Sequence, residues 1–192
     1  MRIKVGVMGS AGGALEAEAL RNCYRLGQCI ARHDCVLLTG ACPGLPHEAA
    51  LGAKAENGLV IGVSPALSLD EHIVRYHSPY LEYDAIIYTG SGLMGREITN
   101  IRSCDVVVIV GGRSGTLGEF AIAYDEGKLI GVLEGTGGIA DHLREVVQIV
   151  NKATRAEVMY ESDPEVLLPR LLESFQKRME AGTAHLPPQA DG

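Results

Sequence analysis

A chain of 192 residues, 46% hydrophobic and 21% charged, has the balance of an ordinary globular protein and is long enough to bury one sizeable core. Its net charge of −7 argues against a binder of nucleic-acid polymers or anionic membranes, which carry a basic surplus that replaces counterions on phosphate. No apolar run approaches the roughly 18 residues of a membrane span, and the opening "MRIKVGVMGSAGG" lacks the apolar stretch of a signal peptide. Cys23, Cys29, Cys35, Cys42 and Cys104 form no C-x-x-C pair and read as reduced thiols of a cytoplasmic protein.

In chain order, short β-branched runs alternate with amphipathic stretches. The strand "IKVGVMG" (3–9) runs into the glycine turn "GSAGG" (9–13), and a helical pattern follows over 14–33. Then come the strand "CVLLTG" (35–40), a helix over 45–57, and the strands "LVIGVS" (59–64) and "DAIIYTG" (84–90). A helix over 95–104 leads to the strand "DVVVIVGG" (105–112), a helix over 115–127 and the strand "LIGVLEG" (129–135). A helix over 139–152, a final strand "AEVMYE" (156–161) and a helix over 163–178 complete the pattern. Strands apolar on both faces and alternating with helices specify a parallel sheet covered on two sides. The prediction is an α/β, Rossmann-like fold in one domain over 1–180, with six or seven parallel strands and helices on both faces. The tail 181–192, poor in apolar residues and holding Pro187 and Pro188, is expected to fray.

In such a sheet the strand ends converge on one edge, where doubly wound folds bind ligands. Several strands here end in glycine, and "VGGRSGTLGEF" (110–120) is the richest of these turns. A strand that breaks into glycines before a helix leaves backbone N–H groups and the positive end of the helix dipole facing outward, which suits a phosphate. Gly111 and Gly112 can adopt dihedrals closed to other residues, Gly115 lets a ligand approach the backbone, and Thr116 can cap the helix or donate to phosphate. Glu119 has two readings: the closing acid of a T-x-x-E capping box with Thr116, or a carboxylate of the site. Arg96 is expected to open its helix at the same edge, where a cation gains nothing from the dipole. "GSAGG" lacks the G-x-G-x-x-G spacing of a dinucleotide site. The histidines show no ligand spacing, and neither Lys54 nor Lys128 reads as a Schiff-base lysine, so neither metal nor cofactor is called for.

Arg96 followed by a strand and then G-G-R-S-G-T-L-G-E resembles the LONELY GUY (LOG), or lysine decarboxylase-like, family and its branch of molybdenum-cofactor carrier proteins. That family has an arginine at a helix start, a strand, and then P-G-G-x-G-T-x-x-E. The resemblance extends to "GSAGG", to "TGACPGLPHEAALGAKAENGLVIGVSP" and to "GTGGIADHL", over roughly residues 3–145. It departs where Gly111 replaces the family's Pro, Arg113 its second Gly, and Glu97 the Lys that often follows the arginine. The resemblance implies a phosphoribohydrolase that cleaves the N-glycosidic bond of a nucleoside 5′-monophosphate to free base and ribose 5-phosphate. Arg96 and Glu119 would then be catalytic, Gly112, Arg113, Ser114, Gly115 and Thr116 would hold the 5′-phosphate, and Gly9, Ser10 and Gly13 would line the nucleotide side. The alternative is a carrier or sensor that binds the molybdenum cofactor or another phosphorylated ligand without chemistry. The resemblance also implies a homodimer or homotetramer, and the apolar "FAIAY" (120–124) is expected in its interface.

Overall fold

The computed structural model describes residues 1–182. Its strands β1 (Lys4–Gly9), β2 (Val36–Thr39), β3 (Leu59–Ser64), β4 (Ala85–Tyr88), β5 (Val106–Val110), β6 (Leu129–Leu133) and β7 (Glu157–Glu161) form one seven-stranded sheet in the order β4-β3-β2-β1-β5-β6-β7. Every pairing is parallel, as the apolar runs require. The helices are α1 (Ala17–Arg32), α2 (Leu45–Ala55), α3 (Leu69–Val74), α4 (Gly92–Arg102), α5 (Ser114–Asp125), α6 (Leu143–Val150) and α7 (Pro164–Glu180), with a 3-10 turn over Gly138–His142.

The period-2 alternation of the strands divides the core. Val5, Val7, Val106, Val108 and Val110 pack with Cys23, Leu26 and Ile30 of α1 and Leu167 and Leu171 of α7. Met8, Val107 and Ile109 face the other way, onto Ile101 of α4 and Phe120 and Ala123 of α5. Each layer buries one helical stripe against one sheet face, the arrangement that gives α/β folds their stability. "FAIAY" therefore serves this chain's own core: Phe120 and Ala123 are buried and Tyr124 nearly so. Exposed apolar side chains include Leu93, Met94 and Ile98 on α4.

Strand order and chain order diverge at β1. From there the chain adds strands toward β4 at one edge, then returns over α4 to lay β5 on the other side of β1. The loops after β1 and β5 thus part in opposite directions and leave a crevice at the topological switch point. Gly9 lets the crevice close at its base, because a Cβ there would lie 1.9 Å from the Val110 carbonyl oxygen.

Several helix boundaries differ from the sequence-based expectation. α1 begins at Ala17 rather than 14, since Glu16 is still extended (ψ 141°) and no side chain caps it. α4 begins at Gly92, so Arg96 lies in its second turn and does not open it. α5 begins at Ser114, which puts Thr116 inside the first turn and Glu119 in the second. α3 was not anticipated; Ser68 caps it by accepting the Glu71 amide at 3.3 Å, and Ser64 and the Pro79 carbonyl fix its His72. Part of the expected tail is described only as far as the close of α7; residues 183–192 lie outside the described residues.

Candidate functional site

The crevice between the ends of β1 and β5 is a cleft of about 390 Å³, within the range of small-molecule sites. Its lining brings together Gly9, Ser10, Arg96, Arg113, Ser114, Gly115, Thr116 and Glu119. Of the expected site residues only Gly13 and Gly112 stand outside it. Gly13, with φ +98°, belongs to the open loop after β1 and faces no neighbouring chain.

Gly112 is withdrawn for a different reason. Its amide donates to Ser10 Oγ at 2.6 Å and its carbonyl accepts from Ile139 N at 2.8 Å. Gly111 is equally engaged, its amide on Thr136 Oγ1 at 2.8 Å and its carbonyl on Ala140 N at 3.0 Å. The glycine pair is a satisfied structural knot that ties the loop after β6 to β5, and it has no amide left for a phosphate. Gly111 sits at φ +58°. A proline, fixed near φ −65°, cannot stand there, so the departure from the P-G-G pattern follows from the backbone itself.

The start of α5 is different. No side chain caps α5, and the amides of Ser114, Gly115 and Thr116 precede the first residues able to bond within the helix. They line the cleft beside the exposed guanidinium of Arg113. A Cβ on Gly115 would meet only Glu97 Oε1, at 3.5 Å, so a ligand can approach the main chain closely here. The T-x-x-E capping box does not form, because Thr116 is already helical and its side chain lies over Gly112.

The acidic and basic groups of the cleft are buried. Arg96 is 6% exposed and Glu119 7%. Nη1 of Arg96 donates to the carbonyl of Gly40 and, at 3.0 Å, to that of Val63, stitching α4 to the ends of β2 and β3; its Nε has no partner among the described residues. Burial pushes the Glu119 carboxyl up to about 7, with Arg96 opposing the rise and Glu97 adding to it. Glu97 itself, buried on the same wall, is raised by burial against the pull of Arg96. Cys42 also lines the cleft; burial raises its thiol despite Arg96, which keeps it protonated and unlike an activated nucleophile.

Glu97 and Cys42 were missed as site residues. The available signal for the first was the departure itself, an acid beside Arg96 where the family often has Lys. Among the described residues no group of His, Cys, Asp or Glu is arranged to hold a metal ion, and no helix is long and apolar enough to cross a membrane.

The fold and the helix-end cleft define a LOG-like, Rossmann-type protein. Residues 2–168 match the SLOG cluster4 family, and the chain belongs to it. An uncharacterized protein of Archaeoglobus fulgidus is 33% identical over 135 residues, covering 69% of this chain and 80% of that one. Among solved structures, the molybdenum cofactor binding protein of Rippkaea orientalis superposes with a TM-score of 0.75 at 31% identity, over 92% of this chain and 98% of the other. The molybdenum cofactor carrier protein of Chlamydomonas reinhardtii gives 0.73 at 29% identity, over 92% and 99%.

Proposed function

We propose that this protein binds a phosphorylated small molecule with its phosphate on the N-terminus of α5, and that it carries this ligand rather than cleaving it. The molybdenum cofactor, a phosphorylated pterin and the cargo named for two of its structural relatives, is the ligand this reading favours. The observation that carries it is the state of Arg96. Nη1 of its guanidinium is held by the Gly40 and Val63 carbonyls, which seats the group in the cleft wall. Glu119 supports the same reading. Stabilising an oxocarbenium-like ribose calls for an ionised carboxylate, whereas here a second carboxyl, Glu97, stands where the family often has Lys and disfavours that charge.

The phosphoribohydrolase reading draws on the same carboxyl, since a group that titrates at about 7 is suited to proton transfer at neutral pH. One experiment separates the two. The protein is incubated with molybdenum cofactor released from a molybdoenzyme, gel-filtered, and assayed for bound molybdenum and pterin, while parallel samples with AMP and GMP are analysed for free base. Retained cofactor without base release is the expected result. Base release without retention would overturn the carrier reading in favour of the hydrolase.

A further inference from the structure

Gly115 and Gly118, three residues apart, share one face of α5, and the carboxyl of Glu97 from α4 lies against it. Its Oε1 is 3.5 Å from the position a Cβ would take on Gly115, and its Oε2 3.3 Å from that on Gly118. The two glycines thus seat a buried acid on the opening turns of α5. Glu97 lines the same cleft as Arg113, Ser114, Gly115 and Thr116, so it stands at the cradle proposed for the phosphate. A helix N-terminus and an arginine draw any anion by charge. An ionised carboxyl beside them repels every anion that brings no proton to share.

We infer that Glu97 is a specificity-determining residue that selects a phosphoryl group able to carry a proton, as inorganic phosphate and phosphate monoesters are, against anions that carry none, such as sulfate. This rests on the phosphate-binding reading above and adds the ionic form in which the group is held. One proton between a phosphate oxygen and a Glu97 oxygen turns a like-charge contact into an O–H···O⁻ bond, which is short and strong. A phosphate monoester gives up its second proton at about pH 6, and burial raises the Glu97 carboxyl against the pull of Arg96, so a proton shared between them is kept at little cost near neutral pH. Sulfate and an ionised carboxylate are both acceptors only, and nothing joins them. Rejection by an unpaired charge is a general route to specificity. The other charged or titratable groups of the cleft are Arg96 beside Glu97, Arg113 and Glu119 at the start of α5 and within it, and Cys42 after β2. All of them meet either anion, so the change in preference on replacing Glu97 isolates its own part.

The test follows the Gly115 amide resonance while inorganic phosphate or sulfate is titrated at pH 7 into wild type, Glu97→Gln and Glu119→Gln. Wild type is expected to bind phosphate about tenfold or more tightly than sulfate. Glu97→Gln should bring the two anions to within about threefold, chiefly by tightening sulfate, because a neutral amide repels neither. Glu119→Gln removes the neighbouring carboxyl and should keep the preference; it carries the test if Glu97→Gln does not fold, and loss of the preference there would assign it to Glu119 instead. If wild type binds phosphate and sulfate alike, or Glu97→Gln keeps the full preference, the inference on Glu97 is overturned and the phosphate site stands. If neither anion binds, the phosphate-binding reading fails and this inference with it.

Discussion

Replacing Glu119 by Gln tests the electrostatics of the cleft without any knowledge of the ligand. The carboxyl titrates at about 7 in the fold against an ordinary value of 4.5, chiefly because it is buried. A carboxyl raised in the folded state keeps its proton where the unfolded chain has lost it, so stability is highest below pH 4.5, falls as pH rises toward 7, and is flat above. From 4.5 to about 7 this amounts to about 3 kcal/mol at about 1.4 kcal/mol per pH unit. Gln carries no proton to lose and fills the same space. The variant should therefore melt close to wild type at pH 5 and higher than wild type at pH 8, by on the order of 5–10 °C for a protein of this size. Thermal melts of both proteins at the two pH values supply the difference, in which effects of the substitution common to both conditions cancel. An equal offset at pH 5 and pH 8, or a variant less stable than wild type only at pH 8, would refute the reasoning.

Other consequences are read from single positions. Arg96→Ala, which the sequence alone would treat as a catalytic change harmless to the fold, leaves the Gly40 and Val63 carbonyls without their buried donor and should cost about 2–4 kcal/mol in chemical denaturation. Gly111→Pro, which restores the family residue, meets a backbone at φ +58° and removes the amide bonded to Thr136; a loss of about 3 kcal/mol or more is expected, and a stable variant would mean that the loop is built differently. Gly115→Val has room beside Glu97 and should fold, melting within a few degrees of wild type, yet lose inorganic phosphate binding in calorimetry. The exposed Leu93, Met94 and Ile98 on α4 are expected to be covered by a second copy, so light scattering at micromolar concentration should give at least a dimer mass, and Met94→Glu should lower it.

The sheet was legible because parallel strands buried on both faces are written as continuous apolar runs: "DVVVIV" and "LIGVL" have no other stable use. Helix starts were less legible. Neither α4 nor α5 begins with a side-chain cap: Ser91 stands at the N-cap of α4 without bonding the helix amides, Arg113 stands at that of α5, and Arg96 and Glu119 were each placed one turn too near the helix end. That a cleft lies where glycine-bearing strand ends converge followed from the sequence, but the use of each amide did not. That Gly112 bonds Ser10, about 100 positions away in the chain, depends on β1 lying beside β5. The same adjacency engages the Gly112 amide and leaves those of Ser114–Thr116 as the ones proposed to meet a phosphate. Glu97 was visible as a departure from the family's Lys, yet its burial against Gly115 and Gly118 needed the packing of α4 on α5.

The central claim, that a phosphate sits on the start of α5, is tested most directly by following backbone amide resonances while inorganic phosphate, and then a phosphorylated pterin, is titrated in. The account predicts saturable shifts concentrated at Arg113, Ser114, Gly115 and Thr116, with Gly111 and Gly112 moving little because their amides are already bonded to Thr136 and Ser10. Shifts centred on Gly111 and Gly112, or on arginines of the outer surface such as Arg25 and Arg32 with α5 unmoved, would contradict it.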